Sequence, residues 1–244
     1  MIDHANIRNE LLKFGKEIDP MELFPVVTPE AFGFAVRDPY AFCISTALDR
    51  GTKADIIWTI PYDISQYLGH LDVWQINKMS LGDLTLMFSN LPRKPRYIND
   101  APRTVKELTF KIADRYQGDA TLIWEGRTAR EVNRFFQSLY GVGPGIANMA
   151  VLLIEKAYGV RFSDLDRRTM DIKPDVQTKR VLYRLGIASE QSENAAIKAA
   201  RELNPSYPGD VDAPLWIIGR KWCLVGNPRC DKCAVRTVCP KILP

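Results

Sequence analysis

The chain has 244 residues, 46% of them hydrophobic and 25% charged, with a formal net charge of +4. This is the composition of an ordinary globular protein, long enough for one large domain or two modest ones. No run approaches the roughly 18 uninterrupted apolar residues that a membrane helix needs. The charged N-terminus, MIDHANIRNELLKFGKEID, lacks the apolar stretch of a secretion signal, so an intracellular location is expected.

In chain order, helical periodicity predicts helices at about 38–49, 62–69, 80–89, 99–116, 127–140, 146–157, 175–185, 189–203 and 212–222. Strand-like alternation is scarce and no repeat occurs, so the fold class is all-α. Ser80 with Asp83, and Thr128 with Glu131, have the spacing of capping boxes at helix starts. The stretch from Ile146 to Ile154 is apolar except at Asn148, the pattern of a helix buried inside a domain. A net charge of +4 says little by itself; its distribution says more. Arg220, Lys221, Arg229, Lys232, Arg236 and Lys241 face a single acid, Asp231, across the C-terminal stretch. A smaller basic knot, Arg93, Lys94 and Arg96, sits in a Pro-punctuated loop. Such clusters suit a polyanion, and equally a solvated basic face.

Three motifs carry chemistry. Residues 139–147, LYGVGPGIA, place Gly141 and Gly143 one residue apart before the buried helix. A glycine turn leading into a helix N-terminus offers amide donors and a favourable dipole to a phosphate, and it also serves as a plain interhelical turn. Residues 174–186, PDVQTKRVLYRLG, open with Asp175, where an aspartate would cap the following helix. Last, WCLVGNPRCDKCAVRTVCP spaces Cys223, Cys230, Cys233 and Cys239 as C-x6-C-x2-C-x5-C. Four thiolates suit a tetrahedral zinc or a cubane iron–sulfur cluster, and the single C-x2-C pair favours the cluster. Cys43, in the apolar YAFCIS, is expected to be a small core residue. His4 and His70 lie away from the motifs, so histidine catalysis is not expected. Trp58, Tyr62, Tyr140, Trp216 and Trp222 could stack on a base but are expected in the core.

In this order, over roughly residues 38–240, the motifs resemble those of the endonuclease III-like, helix-hairpin-helix base-excision DNA glycosylases. The cysteine spacing matches the family's iron–sulfur loop, and DAPLWIIGRKWC is similar to the approach to it. The resemblance implies a structural [4Fe–4S] cluster held by Cys223, Cys230, Cys233 and Cys239, folding a basic loop that grips the phosphate backbone. It implies a DNA-binding hairpin containing Gly141, Gly143 and Gly145, with Tyr140 in place of the family's proline. In bifunctional members the lysine that attacks the sugar falls where this chain has Gly145, which argues against lyase chemistry. The family's catalytic aspartate falls on Asp175, while Val176 and Gln177 replace its Thr-His; Asp171 is a nearby second carboxylate. Where relatives carry a glutamine pair that fills the gap left by a flipped base, this chain has Arg50 and Gly51, making Arg50 the candidate wedge. The adenine-specific branch carries a glutamate near Thr46 and an extra C-terminal domain, and with neither in this sequence that branch is not expected.

The family's layout implies a six-helix bundle domain at about 39–160 and a cluster domain formed by 1–38 with 161–244. The expected partner is double-stranded DNA containing a damaged or mispaired base, bound by a monomer across the cleft between the two domains. The expected reaction is monofunctional base removal by water attack, leaving an abasic site. Three readings stand beside it: a non-catalytic damaged-DNA-binding protein of the same fold, a glycosylase/lyase using another lysine such as Lys173, and an unrelated zinc protein.

Overall fold

The computed structural model describes residues 2–242, and among them every regular element is helical, with no strand. No described helix is long and apolar enough to cross a membrane. The chain forms two units, one spanning Phe24–Leu165 and one made of the segment up to Leu23 together with everything from Asp166 on. Helix α1 (His4–Glu17) belongs to the second unit; Asp3 caps it by accepting from Asn6 N–H at 3.0 Å, and Ile7 and Leu11 are its buried stripe.

The larger unit contains α2 (Phe34–Arg37), α3 (Pro39–Leu48), α4 (Ala54–Leu68), α5 (Val73–Lys78), α6 (Leu81–Asn90), α7 (Ala101–Tyr116), α8 (Ala129–Gln137) and α9 (Pro144–Tyr158). Helix α3 starts where the Asp38 carboxylate accepts from the Tyr40 and Ala41 amides, with Pro39 in the first turn. Every residue from Tyr40 to Leu48 is buried, which makes α3 the central helix of the unit. The Phe42 ring meets those of Phe24, Trp58, Trp124 and Tyr158 at centroid distances of 5.3–6.2 Å. Cys43 is fully buried here, and burial pushes its thiol well above the usual range. Both expected capping boxes form, at Ser80–Asp83 and Thr128–Glu131.

The division falls at 23/24 and 165/166, where the sequence reading expects about 39 and 160. Phe24 joins the larger unit because its ring packs on Phe42 and Trp58, and short α2 packs on α3 and α4. At the other end, the Asp164 carboxylate caps α8 from 35 residues away, accepting from Ala129 N–H at 2.8 Å. Helix α4 begins near residue 54 rather than 62 because Pro61 lies inside it, where a proline normally signals a stop.

The smaller unit adds α10 (Val176–Arg184), α11 (Glu193–Leu203) and α12 (Asp212–Lys221) to α1. Its core joins Ile7, Leu11, Val181, Leu182, Leu185, Leu203, Leu215 and Ile218 with Cys233 and Val235 of the C-terminal loop. Gly219 permits the close approach of α12 to α10: a Cβ there would lie 2.7 Å from that of Gln177.

Replacing Phe42 by alanine should destabilise the larger unit by about 3–5 kcal/mol, the range for emptying an aromatic site in a packed core. Chemical denaturation of Phe42→Ala measures it, and a loss below about 1 kcal/mol would show that the ring cluster is not what holds the unit together.

Candidate functional site

The hairpin consists of α8, a turn over residues 138–143, and α9. Its helices are joined by side chains: Asn133 Nδ2 donates to Asn148 Oδ1 at 2.8 Å, which explains the single polar residue in the Ile146–Ile154 run. The other residues of that run are buried. Helix α7 braces the turn. Lys111 donates to both the carbonyl and the hydroxyl of Ser138 at 2.7 Å, Glu107 accepts from Tyr140 N–H at 2.8 Å, and Thr104 donates to the Tyr140 carbonyl at 2.9 Å. Burial pulls the Lys111 ammonium below its ordinary range. Arg103 stacks over the Tyr140 ring at 3.9 Å.

Gly141 takes the left-handed region, φ 74°, that the tight turn requires. Gly143 caps α9 with no side-chain acceptor, so the Gly145 and Ile146 amides have no intrahelical partner and end the helix as open donors. The space where a Cβ would sit on Gly143 or Gly145 is empty. What the turn offers is a set of backbone donors at the positive end of a helix dipole.

Asp175 lies in the smaller unit and is the cap of α10. Its Oδ1 accepts from the Gln177 amide at 2.8 Å and the Thr178 amide at 2.9 Å. Among the described residues Oδ2 has no hydrogen-bond partner, and the residue is half-buried. One oxygen therefore fixes the carboxylate while the other is uncommitted. Asp171 is differently placed: Arg201 holds it in a two-pronged ion pair at 2.7 and 2.6 Å. The backbone N–H of Lys173 donates to Asp212 at 2.9 Å.

The residues that sequence reasoning passed over are Arg180 and Arg184, one helical turn apart on α10 and only 7% and 4% exposed. Arg180 donates to the carbonyls of Cys223 at 2.7 Å, Gly219 at 2.9 Å and Val176 at 3.1 Å, and to the Gln177 side chain. Arg184 donates to the carbonyls of Leu224 at 2.6 Å and Val225 at 2.9 Å, and reaches Cys223 Sγ at 3.5 Å. Its own carbonyl accepts from Ile242 N–H at 3.1 Å and from the Cys239 thiol at 3.8 Å. Neither guanidinium is ion-paired to a carboxylate among the described residues. Arginines four apart on the helix beginning at Asp175 were visible; that they reach the cysteine loop was not.

Cys223, Cys230, Cys233 and Cys239 all line one cavity of about 30 Å³, together with Val181, Leu185, Ile218, Trp222 and Val235. Burial pushes the Cys233 thiol up to about 11 and also raises that of Cys239, the other cysteines adding to each shift. Among the described residues no three His, Cys, Asp or Glu side chains are gathered as the ligands of a single metal ion. The four soft donors thus share a cavity, with two buried guanidiniums alongside.

The remaining candidates scatter. Arg50 does not extend away from the protein; its Nη1 donates to the Gly141 carbonyl at 2.5 Å. Trp58 is core as expected, and Tyr62 packs on Phe34. Trp222 packs on Phe14, and Trp216 lies beneath Arg220. Gly141, Gly143, Gly145 and Arg50 thus belong to the larger unit, Asp175 and the four cysteines to the smaller.

No protein-family model matches the chain, and no curated protein matches its sequence. Solved structures do match in fold. A non-covalent endonuclease III–DNA complex superimposes with a TM-score of 0.64 at 19% identity, over 99% of this chain and 97% of that one. A trapped endonuclease III–DNA covalent intermediate, the estranged-adenine complex, gives 0.63 at 18% over the same shares. A thermostable thymine-DNA glycosylase gives 0.58 at 20%, over 96% and 94%.

Arg184→Ala should destabilise the smaller unit by about 2–3 kcal/mol, because the Leu224 and Val225 carbonyls lose charged donors together. Urea denaturation reads this, and an unchanged midpoint would show that the cysteine loop is held by other contacts. The all-helical architecture, the hairpin and the alignment over 96–99% of the chain show that it shares the fold of the endonuclease III and thymine-DNA glycosylase structures.

Proposed function

We propose that this protein is a DNA base-excision glycosylase that removes a damaged or mispaired base from duplex DNA by hydrolysis, without a lyase step. The observation that carries the reading is the Asp175 carboxylate, held by two amides through one oxygen and unpartnered at the other. Breaking an N-glycosidic bond builds positive charge on the deoxyribose, and a fixed carboxylate beside the sugar stabilises it. The target nucleotide must first leave the base stack. As the bond from C1′ to the base nitrogen breaks, Asp175 orients a water whose oxygen bonds to C1′. The water's proton passes to the carboxylate, the electron pair leaves with the base, and an abasic site remains.

Gly145 supports hydrolysis over covalent attack, since it stands where the resemblance places the attacking lysine and offers no amine. The open amides of Gly145 and Ile146, with the Gly141–Gly143 turn, are the phosphate contacts. The basic residues around the cysteines add sequence-independent grip. The endonuclease III structures of similar fold are complexes with DNA, in keeping with a DNA partner here. We place the protein inside the cell, acting as a monomer.

The four cysteines would hold a [4Fe–4S] cluster. They line one cavity, and their single C-x2-C pair is the spacing that favours a cluster over zinc. Buried cations need compensation, and thiolate ligands beside Arg180 and Arg184 would provide it. When bound, such a group supplies no atom to base removal; it keeps the basic loop folded. The purified protein should be yellow-brown and contain iron. A colourless protein with one zinc would exclude the cluster.

An end-labelled duplex with a panel of lesions, treated with mild alkali after incubation, tests the reaction. Asp175→Asn should slow base release by at least about 100-fold. Stability should be preserved, since asparagine caps a helix as well as aspartate does. Base release unchanged in that variant would sink the assignment. Binding to abasic-analogue duplex with no release from any lesion would make the protein a damage binder instead. Gly145→Lys should gain an adduct trappable by borohydride, because nothing lies within 4 Å of a Cβ there.

A further inference from the structure

We propose that Arg50 is a positioning residue that locks the hairpin turn, and is not the side chain that fills the gap left by an everted nucleotide. Its consequence for DNA binding rests on the function proposed above; its structural part does not. Arg50 Nη1 donates to the Gly141 carbonyl at 2.5 Å across 91 residues of sequence. The guanidinium lies so close to the turn that a Cβ on residue 141 would be 1.6 Å from Nη1 and 2.3 Å from Cζ. Glycine at 141 thus serves twice, through its left-handed φ and through the room it leaves for Arg50.

The other end of the guanidinium faces inward too. Nη2 is buried without a hydrogen-bond partner, 3.9 Å from Asp100 Oδ2 in an ion pair, and the side chain is 19% exposed. Asp100 also accepts from the Tyr140 hydroxyl at 3.3 Å, so one carboxylate engages both Arg50 and the residue before Gly141. The Tyr97 ring lies 5.2 Å below the guanidinium, with Arg96 against it at 5.9 Å. Arg96 N–H donates to Thr52 Oγ1 at 2.7 Å. Segments 50–52, 96–100 and 140–141 are tied through Arg50 and its neighbours into one block.

A gap-filling side chain must leave the protein surface and enter the base stack, whereas this guanidinium is committed to a carbonyl, a carboxylate and a ring within its own unit. Locking the turn before DNA arrives orders the amides that follow it, which lowers the ordering cost of binding. Tyr140 and Arg50, the two departures from the family pattern here, act together through Asp100.

The two roles separate on two duplexes. A gap filler contributes only where a nucleotide has left the stack, so its loss weakens binding to an abasic-analogue duplex and spares the intact one. A hairpin lock serves phosphate contacts, so its loss weakens both alike. Fluorescence anisotropy with Arg50→Ala should show a loss of about tenfold or more on both duplexes, the effect of one charge-assisted hydrogen bond. Hydrogen exchange, without DNA, should show faster exchange at residues 139–146. Arg50→Lys, which keeps one donor, should restore part of that protection, and it stands in should the alanine variant not fold. Selective loss on the abasic duplex, or unchanged exchange at the turn, would overturn the proposal. A wild-type protein that binds neither duplex would end the DNA reading while leaving exchange to decide the lock.

Discussion

Two guanidinium groups, those of Arg180 and Arg184, hold the C-terminal part of this molecule to helix α10, and through that helix to Asp175. Each is almost wholly buried, and their partners are main-chain carbonyls of Gly219, Cys223, Leu224 and Val225 instead of carboxylates. A loop without regular structure has no ladder of its own for its carbonyls, so donors must come from elsewhere. Arginine suits the task because its planar fork presents several donors at fixed angles. The arrangement leaves two positive charges out of water, with Cys223 Sγ 3.5 Å from Arg184. The cysteine loop, α10 and α12 are one electrostatic unit.

Asp175 stands at the start of the helix that this unit braces. An N-cap aspartate is anchored by amides at the positive end of its helix, which fixes its orientation. Here the cap uses one oxygen only, and the helix behind it is braced by buried contacts over its whole length. The bonds that cap the helix are the bonds that orient the Asp175 carboxylate.

The hairpin follows the complementary logic. The Gly145 and Ile146 amides have no partner within the helix, and the surrounding side chains fix the turn without covering them. Lys111, Glu107 and Thr104 of α7 take the Ser138 and Tyr140 backbone groups, and Arg50 takes the carbonyl of Gly141. All of these contacts engage the turn before Gly143, and the first turn of α9 stays open.

Much of this was legible in the chain itself. The all-helical class, the buried run from Ile146 to Ile154 and both capping boxes follow from local periodicity and short-range hydrogen bonding. The glycines of the turn and the clustering of four cysteines are equally local. Tertiary structure decided what depends on long-range partners. The unit boundary moved to Phe24 because that ring packs on Phe42 and Trp58, and α4 runs through Pro61 because its buried face overrides a local stop signal. Arg50, the candidate wedge by sequence, turned inward because Gly141, 91 residues away, leaves the room it fills. Arg180 and Arg184 gained their role only when the loop at 223–225 folded over them. Sequence fixes what neighbours along the chain can satisfy among themselves; a buried charge is defined by whatever the fold brings to it.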